Sequence, residues 1–411
     1  MLKFEKIVYD KRKTIGRIRH MTNVFILDGA RTPFGTMGGS LKDISSIELG
    51  KAASVEAVRR AGVEAGDIEH VVFGNVIHSD PNAAYLARHI ALKSGVPEHV
   101  PALTVNRLCG SGLQAVVSAA QAMLLGEART SLVGGAENMS LSPRADFTSR
   151  CNGGKFGPIQ LEDMLLRTLT DDYIGCGMGM TAENLAEQYN ISREEQDAFA
   201  LLSHQRAQRA RECGRLAEEI VAVETKKGKV ERDEHIRDNT SMEKLALLRP
   251  SFKKDGTVTA GNASGINDGA AALVLATGAF IKERALKPLA EIVTWGIAGV
   301  DPRIMGIGPV PAARMALERA GLTIDQMDLV EINEAFSAQY LAVEKELKLD
   351  REKTNVNGGA IALGHPVGAS GARLLLTLAY ELRNRGKRYG LASLCIGGGQ
   401  GIAMIIENKQ L

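Results

Sequence analysis

The sequence predicts an α/β protein built from two related halves, with a helix-rich insertion in the first. Three observations carry this. Apolar, strand-like runs alternate with helical spacing along most of the 411 residues, the pattern of a largely parallel sheet covered by helices. Landmarks recur at a fixed separation. "RAGVEAGDIEHVVFGN" from Arg60 resembles "RAGLTIDQMDLVEINE" from Arg319, and Ser111-Gly112 is matched by Ser370-Gly371, each pair 259 residues apart (319 − 60 and 370 − 111). Between the repeated landmarks, within the first half over about 141–265, the composition shifts towards charge and helix, as in "SREEQDAFALLSHQRAQRAREC".

Along the chain, "NVFILDGART" reads as an apolar strand closing at Asp28-Gly29. "IELGKAASVEAVRRAG" has helical spacing and stops on Gly62, a natural C-cap. "IEHVVFGNV" is a buried strand, and "ALTVNRL" is another that feeds a helix beginning near Ser111. Ser192-x-x-Glu195 is a capping box that opens the long helix of the insertion. The basic run "TKKGKVER", Thr225 to Arg232, reads as a solvated hairpin or loop, with contact to a phosphorylated ligand as the alternative. The halves divide as 21–288, carrying the insertion, and 289–411. Residues 1–20 form a basic extension outside the fold. Glu5, Asp10 and the lack of Ser argue against a transit peptide there.

Composition narrows the function classes. The chain is 45% hydrophobic and 24% charged, which is a globular composition. A net charge of +2 gives no reason to expect nucleic acid, and no apolar run is long enough to span a membrane. The five cysteines, at 109, 151, 176, 213 and 395, are irregularly spaced without a C-x-x-C pair, so a zinc or redox pair is not indicated. Free thiols point to a reducing compartment, and the cytoplasm is expected.

Four stretches carry chemistry. In "NRLCGSGLQAVV", Cys109 sits at a glycine-flanked helix start, where the helix terminus is expected to favour thiolate and backbone N–H groups to hold an oxyanion. The alternative is a cysteine packed under a glycine-rich turn. In "NGGAIALGHPVGASG", His365 falls where the first half has Asn106, and Cys109 itself corresponds to Gly368. The two halves would then present a thiol and an imidazole on equivalent edges. "LCIGGGQG" ends a strand on Cys395, expected to be an exposed thiol fit for acid/base work; it lacks the Lys-Ser/Thr and following helix of a phosphate loop. "EINEAFSAQ" puts Asn333 and Glu334 just after a strand, where Asn333 either orients a water or substrate oxygen or caps the next helix.

Together, "NRLCGSGLQA", "GGAENMS", "GNASGINDGAAA", "NEAFSA", "GGAIALGHPVGASGAR" and "CIGGGQG" resemble, in this order, the motif set of thiolases, over nearly everything from Met21 to Glu407. Within that family the chain is most similar to acetyl-CoA acetyltransferases and bacterial β-ketothiolases. The resemblance implies two βαβαβαββ halves in a layered α/β/α/β/α core with an inserted loop domain. It also implies acyl transfer on coenzyme A thioesters, with coenzyme A a substrate and neither metal nor cofactor needed. A homo-oligomer, a dimer of dimers, is expected.

Carried over by motif, Cys109 would be the acylated nucleophile and His365 its base. His365, with Asn333 acting through a water, would then hold the thioester oxygen. Cys395 would move the α-carbon proton, and the N–H groups of Cys109 and Gly397 would form a second oxyanion hole. Ser264, Ala260 and Ala263 would border the pantetheine arm, while Met178, Met305 and Phe336 would line the acyl pocket or pack as ordinary core. Relatives often carry a bulky His or Pro just before the Met of this motif, where Gly177 stands here, so acyl length is open between acetoacetyl and somewhat longer chains. Rival readings are a decarboxylating ketoacyl synthase, which would replace Cys395 by His, and a silent acyl-CoA binder, which would have lost a reactive group.

Overall fold

A computed structural model describes residues 23–152 and 159–410. The extension at 1–20 lies outside the described residues. The first half contributes β1 (Val24–Arg31), α1 (Ser46–Arg60), β2 (His70–Gly74), α2 (Leu86–Lys93), β3 (Ala102–Val105), α3 (Ser111–Leu124), β4 (Thr130–Asn138) and, after the insertion, β5 (Asn267–Thr277). The insertion holds two main helices, α4 (Met178–Gln188) and α5 (Arg193–Glu212). The second half follows as β6 (Ala290–Gly299), α6 (Pro309–Ala320), β7 (Leu329–Ile332), α7 (Ser337–Leu347), α8 (Ser370–Asn384), β8 (Tyr389–Ile396) and β9 (Gln400–Glu407).

The strands lie in the order β3-β2-β4-β5-β1 and then β6-β9-β8-β7, so one half is the near-copy of the other. β2 runs parallel to β3 and β4, and β7 parallel to β8; the remaining pairs are antiparallel. In the second half an isolated bridge, Val330 to Thr354, stands where the first has β3. The half-sheets meet along a short antiparallel seam, Phe25 with Glu291 and Ile26 with Ala290. The first strand does not close at Asp28-Gly29. It runs on to Arg31, because a bulge between Ile26 and Asp28 absorbs the irregularity and restores pairing with β5.

The repeat is exact in its turns. Gly62 and Gly321 both take left-handed φ, at 68° and 67°, ending α1 and α6. The short 3₁₀ turns Ala65–Asp67 and Ile324–Gln326 follow at the same spacing, each with a capping box. α1 and α6 cover the outer faces of their half-sheets, while α3 and α8 pack on each other between them, giving the α/β/α/β/α layering. The two middle helices touch at Gly112 and Gly371, a repeat-related pair. A Cβ at Gly112 would meet the Gly368 carbonyl and the Ala372 nitrogen, and one at Gly371 would meet Leu113. Glycine there lets the two N-termini meet, and with them the turns that carry Cys109 and His365.

Burial explains why the strands read as apolar runs. All eleven residues of β5, "NDGAAALVLAT", are buried, covered on both faces. The insertion is tied to this core by charge. Arg31, fully buried, makes a bidentate pair with Asp233 (2.6 and 2.9 Å) and reaches Glu219 at 2.7 Å. Removing one partner of such a buried set costs about 3–5 kcal/mol. The capping box of Ser192 and Glu195 starts α5, and the basic run forms a hairpin, Val223–Thr225 with Gly228–Val230. No helix among the described residues is long and apolar enough to cross a membrane.

Candidate active site

Cys109 lies in a tight turn, not within a helix. Leu108 before it has φ 45°, a left-handed conformation unusual for leucine. The turn is held by Ser111, whose Oγ donates to the Leu108 carbonyl (2.6 Å) and accepts from the Arg107 N–H (2.8 Å). α3 begins only at Ser111. Cys109 thus sits directly before the N-cap Gly110, where burial works against the thiolate that a helix start favours. Burial pushes the thiol up to about 11, although the Gly397 N–H and the cysteine's own N–H both favour the charged sulfur. Gly397 comes from the other half, and a Cβ on it would meet the Leu108 side chain beside Cys109.

Cys395 ends β8, fixed by parallel pairing to β7 on one side and antiparallel pairing to β9 on the other. It is buried rather than exposed as expected, because Met178, Met305, Ala335 and Phe336 pack around it. Burial raises its thiol, and the nearby Cys109 raises it further. Gly397 opens the hairpin that follows. A Cβ there would overlap the Met178 methyl and press on Leu108, so glycine leaves the N–H free to approach the Cys109 sulfur.

His365 is buried in the loop before α8, and three contacts define it. Its backbone N–H donates to Asn267 Oδ1 at 2.9 Å. Its Nδ1 lies 2.6 Å from Ser370 Oγ, and that hydroxyl already donates to the Pro366 carbonyl at 2.9 Å. Ser370 must therefore accept from His365, which puts the ring proton on Nδ1 and the lone pair on Nε2. Nε2 faces Asn333 Nδ2 at 3.4 Å. Burial, with the Arg373 cation behind it, pushes the imidazole down to about 3, so it rests neutral. Val367, two residues on, packs in one cluster with Cys109.

Asn333 is not a helix cap: α7 begins at Ser337 after Phe336, with no side-chain cap. Its Oδ1 is buried without a protein partner, and one such oxygen beside a histidine lone pair suits a bound water. Glu334 turns away, accepting from Ser203, Asn355 and the Ile361 N–H.

The residues expected to guide the pantetheine arm border the same loop. Ser264 N–H donates to the Ala335 carbonyl at 2.9 Å, and Ala263 bridges to Phe336. Ala260 is exposed on the turn before them. Behind this turn, Leu245 and Leu248 touch Gly261 and help to line a cavity of about 340 Å³ that also has Arg237 and Lys244 in its wall. Sequence reasoning missed three contributors: Ser370, read only as a repeat landmark; Asn267; and Phe252, which stacks edge-on against Phe336 with centroids 6.0 Å apart. Among the described residues, no group of three or more His, Cys, Asp or Glu is placed to hold a metal.

Two related halves thus set the Cys109 turn against the loop that carries His365, through Val367 packed with Cys109 and through Gly112 against the Gly368 carbonyl, with the Cys395 thiol near that of Cys109. The family description "Thiolase, N-terminal domain" matches residues 24–279, and "Thiolase, C-terminal domain" matches 286–408. The chain belongs to the thiolase family. It is 51% identical over 393 residues to the human "3-ketoacyl-CoA thiolase, mitochondrial", covering 94% of this chain and 99% of that one. It is also 48% identical over 391 residues to the acetyl-CoA acetyltransferase of Rhizobium meliloti, covering 94% and 98%. Among solved structures, the human mitochondrial 3-ketoacyl-CoA thiolase in complex with CoA superposes with a TM-score of 0.92. That thiolase is 49% identical, with 95% of this chain and 100% of the other covered. As a member of this family the chain is an acyltransferase of the thiolase type, and it carries its buried groups at the motif positions.

Proposed function

We propose that this thiolase is an acetyl-CoA C-acetyltransferase, interconverting two acetyl-CoA with acetoacetyl-CoA and CoA through an acyl-cysteine. The observation that carries the reading is the meeting of the Cys109 turn with the end of the Cys395 strand: a Cβ at Gly110 would meet Ile396 and one at Gly397 would meet Leu108, so the two thiols and the Gly397 N–H lie close together. In thiolysis, the Cys109 proton passes to His365 Nε2 and the sulfur attacks the 3-keto carbon. The C2–C3 bond breaks, and its electron pair takes the Cys395 proton to release acetyl-CoA. Incoming CoA gives its thiol proton to Cys395, attacks the acyl-cysteine and leaves as acyl-CoA, while Cys109 recovers its proton from His365. Acyl transfer thus runs in two steps, with ping-pong kinetics.

The high resting pKa of Cys395 suits the acid role. Asn333, through a water on its open Oδ1, and His365 would hold the thioester oxygen, and the N–H groups of Cys109 and Gly397 the acyl-enzyme oxygen. Ser264, Ala260 and Ala263 would flank the pantetheine, and the cavity with Arg237 and Lys244 in its wall offers cations for coenzyme A phosphates. These groups and coenzyme A as substrate complete the chemistry without a cofactor.

The packing of Met178, Met305 and Phe336 around Cys395 favours a short acyl group. Gly177 favours a second reading, a broader-chain 3-ketoacyl-CoA thiolase of fatty-acid degradation. Its missing side chain would meet only the Leu169 carbonyl at 3.6 Å, leaving open space beside Met178. Thiolysis rates across C4 to C10 3-ketoacyl-CoAs decide between them. A kcat/KM at least tenfold higher at C4 than at C8 supports the acetyltransferase, and a flat or rising series replaces it by the second reading. We further propose a cytoplasmic homotetramer, checked by light scattering and fractionation.

A further inference from the structure

We propose that Glu137, in the "GGAENMS" stretch, is a positioning residue that clamps the Cys109 turn to the His365 loop. It rests on the roles assigned above to those two residues. Glu137 sits on β4, fully buried, and four donors converge on its carboxylate. Oε1 accepts from the Ile77 N–H (3.1 Å) and from Asn75 Nδ2 (3.1 Å). Oε2 accepts from the Val76 N–H (3.0 Å) and from the Gly368 N–H (3.0 Å). Burial pushes this carboxyl up to about 8, and the N–H groups of Ile77, Val76 and Gly368 pull the other way; every neighbour at the two oxygens is an N–H, so the geometry suits the ionised form, since a proton on either oxygen would face a donor.

The four donors come from two separate segments, and each leads to the reacting groups. Gly368 is three residues after His365, in the same loop. On the other side, the Val76 carbonyl accepts from Asn106 Nδ2 at 3.3 Å, and Asn106 Oδ1 accepts from the Leu108 N–H at 2.9 Å. Leu108 is the left-handed residue that aims Cys109. One carboxylate therefore connects the nucleophile turn of the first half to the histidine loop of the second. The segments are also pressed together: a Cβ at Gly135, two residues before Glu137, would overlap the Gly368 carbonyl.

The charge has its own effect. Cys109 and Asp268 are the titratable groups beside Glu137, and the carboxylate opposes ionisation of Cys109. Glu137 thus holds the thiol and imidazole in register, and its charge adds to the burial that keeps the free thiol protonated.

Two substitutions separate alignment from charge. Glu137→Gln keeps the size, removes the charge and leaves one pair of donors facing an NH₂. Glu137→Asp keeps the charge but is too short for the clamp. Thiolysis of acetoacetyl-CoA is expected to lose about 10–100-fold in kcat in both variants, with KM within about twofold. The midpoint pH for alkylation of Cys109 by iodoacetamide is expected to fall in Glu137→Gln and to stay in Glu137→Asp. Asn106→Ala, at an exposed position, cuts the relay without touching the core and should lower kcat several-fold at unchanged KM, whether or not Glu137→Gln folds. Unchanged kcat in Asn106→Ala and in whichever Glu137 variant folds, with unmoved alkylation midpoints, overturns the proposal. Alkylation needs no thiolysis, so a wild type inert towards acetoacetyl-CoA would refute the assigned activity while the alkylation midpoints still judge the clamp.

Discussion

His365 Nδ1 lies 2.6 Å from Ser370 Oγ, and because Ser370 spends its own proton on the Pro366 carbonyl, the imidazole presents its lone pair from Nε2. A serine at the start of α8 thereby selects the tautomer of a histidine five residues upstream.

Ser370→Ala tests this pair. Losing one buried hydrogen bond costs about 1–2 kcal/mol, and if the loss falls on the transition state, kcat drops roughly 5- to 30-fold at nearly constant KM. Steady-state thiolysis of acetoacetyl-CoA reads it. An unchanged kcat would mean that the ring is oriented by Asn267 and packing alone.

The two thiols should separate by half-reaction. Cys109→Ala should form no acyl-enzyme and turn nothing over. Cys395→Ala should still take an acetyl group from acetyl-CoA onto Cys109, seen as added mass on the intact protein, yet fail to condense it with a second acetyl-CoA. Equal loss of both half-reactions in Cys395→Ala would refute the proton-transfer role.

His204 predicts how stability varies with pH. Its Nδ1 accepts the Arg237 N–H at 3.2 Å, and burial, with the Arg237 cation, pushes it down to about 3. The unfolded chain protonates this residue near 6.5. Between those values the unfolded state binds more protons, so stability rises with pH up to about 6.5 and is lost as pH falls towards 3. One such group contributes a slope of up to about 1.4 kcal/mol per pH unit. His204→Asn should flatten the Tm-against-pH curve between pH 6 and 4 relative to wild type. Parallel curves would mean that His204 is protonated in the fold.

The duplicated scaffold was legible because the repeat rests on local signals: Gly62 and Gly321 end equivalent helices, and Ser111 and Ser370 open equivalent ones. The thiols and the imidazole were legible because glycine-flanked strand ends are rare and local. Ser370, Phe252 and Glu137 were not, since each acts through a partner distant in sequence or through a side-chain direction that only packing fixes. The burial of Cys109 was not legible for the same reason. Cys109 was expected to favour thiolate from its helix neighbour, but the burial that outweighs this comes from Val76, Met139, Leu165 and Val367, brought in from four other segments.

The Cys395 strand is pinned by hydrogen-bonded neighbours on both sides, whereas Met178 and Phe252 hang from the insertion. Mutational libraries confined to the insertion can therefore reshape which chain the enzyme accepts while the sulfur chemistry stays in place. The segment inserted in the first copy sets chain preference, and the two copies themselves hold the reaction.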